Sequence, residues 1–221
     1  MNLNQYNIIT FMNRILIITS YVEGSLNEQK DLLNKLSWDY LICADGGYKI
    51  AQNLGLKIDL VVGDFDSSKG VIPTDLDTIV VPVEKDDTDL QLALKLAVEK
   101  EPQEIWILGG IGGRVDHTIG NIQNIVYYST KNRQITLIDP YQSITVHHPG
   151  TVTYKGDKNT KFSAFAFTKE VTGVTYSGAY YPLENHTLNY EFPLGISNEF
   201  LDDEITVTTN SGILIIVRTT L

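Results

Sequence analysis

Trp106-Ile107-Leu108-Gly109-Gly110-Ile111-Gly112-Gly113-Arg114-Val115-Asp116-His117-Thr118 runs from an apolar segment through four glycines into Arg, Asp and His. The apolar part reads as a buried strand. The residues after the glycines read as a helix, because Ile119, Ile122, Ile125 and Val126 recur at helical spacing, with Asp116 or Thr118 as the expected N-cap. Glycines packed this densely carry an entropic cost, and the usual reason for them is close approach of backbone N–H groups to a ligand. Arg114 adds a five-donor fork suited to phosphate, so the stretch would bring a phosphate chain to a helix N-terminus. A glycine-rich turn without a ligand is the plainer alternative.

The same strand-then-helix unit recurs on both sides. Residues 15–18 are a short β-branched run of the kind that is buried on both faces of a parallel sheet, and Ser25 with Glu28 predicts a capping box ahead of Leu32, Leu33 and Leu36. Residues 40–44 form a second strand, followed by Asp45-Gly46-Gly47 and a helix over 48–54 that Gly55 closes. A third strand, 58–62, runs into Gly63-Asp64-Phe65-Asp66-Ser67. A fourth, 78–83, precedes Lys85-Asp86-Asp87-Thr88-Asp89 and a helix for which Thr88 and Gln91 are spaced as a capping box. Residues 105–108 and 134–138 complete the series. Such alternation predicts an α/β fold, a mainly parallel sheet with helices on both faces, over residues 13–140. Beyond Pro140 helical periodicity stops and short β-prone runs take over, which predicts a C-terminal antiparallel β-sandwich domain over 141–221.

Carboxylates cluster where these strands end, the side on which open α/β sheets bind ligands. Asp64 and Asp66 point to one side of extended backbone, and at about 4 Å they would repel by about 4 kcal/mol at an effective dielectric of 20. A divalent cation or water between them relieves that cost, and oxygen-only ligands suit Mg²⁺; an Asp-x-Asp turn in solvent is the plainer alternative. Asp86, Asp87 and Asp89 form a second cluster, although acidic residues also favour a helix N-terminus for dipole reasons. Lys85 either offsets that charge, meets a phosphate or is simply solvated. His147 and His148, beside Pro149-Gly150, read as turn residues.

The formal net charge of −10 argues against a broad nucleic-acid surface or an anionic membrane as partner. Cys43, the single cysteine, is expected to be a buried small hydrophobe in a reducing, cytoplasmic setting. No apolar run approaches the roughly 20 residues of a membrane span. Residues 1–13 lack the pattern of an export signal, and Met12 is an alternative start.

Asp45-Gly46-Gly47, Gly63-Asp64-Phe65-Asp66-Ser67, Asp86-Asp87-Thr88-Asp89 and the glycine stretch with Arg114-Val115-Asp116-His117 stand in an order and spacing that resembles the thiamine pyrophosphokinase family. Gly178-Ala179-Tyr180-Tyr181-Pro182-Leu183 and Gly195-Ile196-Ser197-Asn198-Glu199 extend the resemblance, with Tyr180 where the family often has a basic residue. It implies transfer of diphosphate from ATP to the hydroxyl of thiamine, releasing AMP. It further implies Mg²⁺ on Asp64, Asp66 and Asp89, ATP against Lys85, Gly110, Gly112, Gly113, Arg114 and His117, and thiamine near Asp45, Thr88, Ser197 and Asn198. Asp45, Asp66 and Asp89 would carry catalysis, and a homodimer would build composite sites from both chains. The alternatives are a pyrophosphokinase for another primary alcohol, such as a hydroxymethylpterin, and a non-catalytic nucleotide-binding module. A dehydrogenase is disfavoured, because the G-x-G-x-x-G spacing is absent and the glycines follow the fifth strand.

Overall fold

The structure, a computed structural model, describes residues 13–64, 77–80, 87–158 and 160–220. Its first half alternates β1 (Arg14–Ile18), α1 (Leu26–Leu33), β2 (Tyr40–Ala44), α2 (Gly47–Leu54), β3 (Leu60–Gly63), β4 (Thr78–Val80), α3 (Asp89–Val98), β5 (Glu104–Leu108), α4 (Val115–Tyr128) and β6 (Gln134–Ile138). The strands are parallel and lie in the order β4-β3-β2-β1-β5-β6. Side chains alternate across them. Leu16, Ile18, Leu41 and Cys43 pack towards α1 and α2, while Ile15, Ile17, Ile42, Ile105 and Ile107 pack towards α3 and α4. Each such side chain, removed fully from water, contributes about 1.5–3 kcal/mol, which is why apolar runs without polar alternation become central strands. Cys43 is fully buried, and burial pushes its thiol up to about 12.

Local signals fix the helix ends. Ser25 Oγ accepts the Glu28 N–H while the Glu28 carboxylate accepts the Ser25 N–H at 2.8 Å, the reciprocal pair expected of a capping box. At the start of α3 only the forward half of the expected box forms among the described residues: Thr88 Oγ1 accepts the Gln91 N–H at 3.2 Å. Gly55 ends α2 at φ +74°. The start of α4 departs from expectation: its N-cap is Arg114, with no side-chain bond to the first turn. Neither candidate cap was available, since the Asp116 carboxylate pairs with Arg114 and the Thr118 hydroxyl donates back to Arg114 O at 3.3 Å.

The second half contains β7 (Gln142–His147), β8 (Gly150–Lys155), β9 (Thr160–Ala166), β10 (Glu170–Ser177), β11 (Leu183–Asn189), β12 (Asn198–Glu199), β13 (Glu204–Thr209) and β14 (Leu214–Thr220). β11, β10, β13 and β8 make a four-stranded antiparallel sheet. The other sandwich layer is not a separate sheet. β7 pairs antiparallel with β6, and β14, β9 and β12 follow, so among the described residues one sheet of ten strands runs through both halves. Phe162, Ala164, Leu214 and Ile216 on that sheet face Tyr154, Val174, Ile205 and Val207 on the smaller one. Ile144, Val146 and Ile215 point the other way and continue the core beneath α3 and α4. His147 closes β7 as a buried strand residue, not a turn residue, with Nδ1 3.0 Å from the Tyr154 hydroxyl. His148 Nε2 lies 2.9 Å from Ser129 Oγ. Among the described residues, no helix is long and apolar enough to cross a membrane.

Candidate active site

From β1 the chain moves outward through β2, β3 and β4, then returns to place β5 on the other side of β1. The crevice left at such a reversal, beyond the carboxyl ends of the strands, is where open α/β sheets take ligands. Here it is a cavity of about 540 Å³ between the ends of β1, β2 and β5 and the first turns of α3 and α4. Asp45, Thr88, Asp89, Gly110, Gly112, Gly113, Arg114 and His117, all expected from the sequence, line it together.

Asp45 follows directly on β2 and is 6% exposed, with its N–H bonded to Val62 O at 2.8 Å. Its φ of +44° is unusual for a residue with a side chain, and Asp tolerates that region better than most. A Cβ added to Gly63 would stand 2.9 Å from Asp45 Cα, so Asp64, the next residue, begins beside Asp45. Asp64 is half-buried and is not part of the cavity lining. Asp66 and Lys85 lie outside the described residues. Among the described residues, no group of three or more His, Cys, Asp or Glu side chains converges as a metal cage. The donors at this end of the cavity, Asp45 and Asp89, are carboxylates without a nitrogen or sulfur ligand among them, and that chemistry fits a hard cation such as Mg²⁺.

At the other end Gly109, Gly110, Gly112 and Gly113 all have positive φ. At Gly109 (φ +93°) a Cβ would come within 2.1 Å of Tyr21 O, so only glycine lets the β1–α1 loop approach. Asn121 Nδ2 donates to Gly110 O at 2.9 Å and ties the loop to α4. Arg114 Nε and Nη2 donate to the two Asp116 oxygens at 3.2 and 2.6 Å. That pairing, chiefly the hydrogen bond itself, holds the Asp116 carboxyl below its ordinary range. Arg114, glycine backbone and an α4 N-terminus whose N-cap side chain makes no bond to the first turn together suit a polyphosphate.

Thr19, Ser20, Tyr21, Asn121 and Asn124 also line the cavity, and sequence reasoning did not single them out. The first three stand at the carboxyl end of β1, a position that marks a site only once strand order is known. Asn121 and Asn124 recur with His117 at helical spacing along the cavity side of α4, a pattern that is readable in the sequence.

Ser197 and Asn198 do not join this cavity within one chain. Asn198 is buried, with Oδ1 accepting the N–H groups of Tyr181 and Glu199 and Nδ2 donating to Tyr181 O at 2.7 Å. It pins its own turn. Ser197 is exposed at φ +59°, with its N–H bonded to Ser163 Oγ.

The family model described as "Thiamin pyrophosphokinase, catalytic domain" matches residues 31–137, and that described as "Thiamin pyrophosphokinase, vitamin B1 binding domain" matches 150–214. Thiamine pyrophosphokinase from Bacillus subtilis is 41% identical over 143 residues, 64% of this chain and 66% of that one. A crystal structure of the enzyme of that name from B. subtilis superposes with a TM-score of 0.81 at 31% identity, covering 94% of this chain and 99% of the other. One from Geobacillus thermodenitrificans gives 0.79 at 30% identity, with 94% and 98% covered. Matched by both family models and by solved relatives along nearly its whole length, the chain belongs to the thiamin pyrophosphokinase family.

Proposed function

We propose that the chain catalyses the reaction its family is named for, transfer of the terminal diphosphate of ATP to the primary hydroxyl of thiamine with release of AMP. One observation carries this reading: the Asp45 and Asp89 carboxylates and a glycine–arginine loop leading into the first turn of α4 share a single cavity at the sheet's reversal point. The hydroxyl oxygen attacks the β-phosphorus, the bond to the α-phosphate oxygen breaks, and the hydroxyl proton passes to a carboxylate, for which Asp45 is our candidate. Arg114, the N–H groups of Gly112 and Gly113 and the first turn of α4 hold the polyphosphate in line, with His117 and Gly110 on the nucleotide side. Exchange of Asp116 for phosphate oxygens on Arg114 would keep its fork filled with charge-assisted bonds. Asp64, Asp66 and Asp89 would hold Mg²⁺, which when bound neutralises charge on the phosphate chain. Thr88 caps α3 and so fixes Asp89 at the cavity wall. The cationic thiazolium of thiamine suits an acidic wall.

The division of labour follows the two halves. Residues 13–140 would take ATP and Mg²⁺, and 141–221 would supply thiamine contacts and the dimer surface, with Ser197 reaching the cavity of a second copy, in a cytoplasmic enzyme. Incubation with ATP, Mg²⁺ and thiamine tests the core of this reading. AMP and thiamine diphosphate are the expected products. ADP with thiamine monophosphate, or turnover of a hydroxymethylpterin in place of thiamine, would overturn it.

A further inference from the structure

Residues 19–25, between β1 and α1, form a strap across the glycine loop. Tyr21 O accepts the Gly110 N–H at 3.3 Å and the Thr19 hydroxyl at 3.0 Å. The Tyr21 ring covers Gly113, its Cε1 3.1 Å from where a Cβ would stand, and Glu23 Oε1 is 2.7 Å from the equivalent point on Gly112. The Tyr21 hydroxyl donates to that same Glu23 oxygen at 2.6 Å. Beyond Glu23 the strap is tied down again. Gln29 Nε2 donates to Glu23 O and Gly24 O, Gly24 packs on Pro140, and the Tyr141 hydroxyl donates to Glu28 at 3.1 Å.

Gly112 (φ +80°) and Gly113 (φ +60°) have no side chains with which to hold their own conformation, and glycine leaves it at little cost. Restraint has to come from neighbours: the Thr118 hydroxyl donates to Gly112 O at 3.4 Å from the helix side, and Tyr21 and Glu23 cover the two glycines from the strap. We propose that Tyr21 and Glu23 are positioning residues for the phosphate site: their mutual hydrogen bond clamps Gly112 and Gly113 in the geometry from which the loop meets the polyphosphate. The proposal rests on the reading that this loop faces ATP phosphates.

Tyr21→Phe keeps the ring and loses the hydroxyl, Glu23→Ala loses the acceptor, and Glu23→Gln keeps an acceptor oxygen. The KM for ATP should rise by about fivefold in each of the first two, the ratio one hydrogen bond is worth, and no further in the double variant, because both remove the same bond. The kcat and the KM for thiamine should hold, and Glu23→Gln should match the parent. Binding of a non-hydrolysable ATP analogue with Mg²⁺, measured by calorimetry, should weaken by the same ratio. This second measurement separates two failures: a parent protein that binds the analogue but releases no AMP counts against the functional reading, while the clamp is still judged by the variants. An unchanged ATP KM in both single variants, additive losses in the double, or tighter ATP binding in Glu23→Gln would overturn the clamp. The last result would mean that the carboxylate repels phosphate and does no positioning.

Discussion

Gly109→Ala should be among the most damaging small substitutions in the chain, and its cost can be built from contacts. The new methyl would stand 2.1 Å from Tyr21 O and 2.5 Å from Thr19 Oγ1, where ordinary contact begins near 3.4 Å. It would also hold an L side chain at φ +93°. Left-handed backbone costs about 1–2 kcal/mol, and driving Tyr21 O away breaks its bonds from Gly110 N–H and the Thr19 hydroxyl at about 1 kcal/mol each, so roughly 3–4 kcal/mol in total. Gly55→Ala is the matched control. Gly55 has a similar φ of +74° and, among the described residues, nothing within 4 Å of an added Cβ, so only the backbone cost of about 1–2 kcal/mol should appear. Urea unfolding of both variants and the parent, analysed at a common slope, gives the difference directly. AMP release should fall with the displaced loop in Gly109→Ala and stay near normal in Gly55→Ala. Equal destabilisation of the two would refute the claim that Gly109 exists to admit the β1–α1 loop.

Gly120 sits within α4, lines the cavity and has no neighbour among the described residues within 4 Å of an added Cβ, so Gly120→Ala should stabilise the fold by up to about 1 kcal/mol while raising the KM for ATP; an unchanged KM would place the nucleotide away from α4. Burial, followed by neighbouring His148, depresses His147 to about 4, below an ordinary value near 6.5, so the unfolded chain binds the extra proton between those values. Stability should therefore be full above about pH 6.5 and fall by up to about 3 kcal/mol towards pH 4, and urea midpoints of His147→Gln should show a shallower slope. Mixing Asp89→Asn with Ser197→Tyr subunits should restore activity if Ser197 serves the partner's cavity, since one site then collects both defects and the other neither. Verified heterodimers without activity would confine Ser197 to its own chain.

Signals carried by a few neighbouring residues were the readable ones. The Ser25–Glu28 box, the Thr88 cap and the Gly55 stop need only adjacent sequence, and the buried runs of β1, β2 and β5 announce themselves by composition. Competition between nearby polar groups was less readable: Asp116 and Thr118 are both good caps, yet each is claimed by Arg114 or by a backbone carbonyl. Asn198 was legible as a special turn residue but not as the pin of Tyr181, because that contact spans 17 positions. Strand order was the largest gap. Without it Thr19, Ser20 and Tyr21 are an undistinguished loop, and the glycines read as awaiting a ligand alone when the chain's own strap already uses Gly109.

The ladder between β6 and β7 bears on how the chain can be cut. Thr136 pairs with Thr145, Leu137 with Ile144 and Ile138 with Ser143, and the two buried threonine hydroxyls lie 3.1 Å apart. Each strand is the other's edge protection. A fragment ending near Pro140 would present the open backbone of β6 beside Ile135 and Leu137, and one beginning there would present β7 beside Ile144 and Val146. Bare edges of this kind recruit other chains. Expression of either half alone should thus yield aggregates, and co-expression of the two as separate pieces should rescue both by re-zipping the missing ladder.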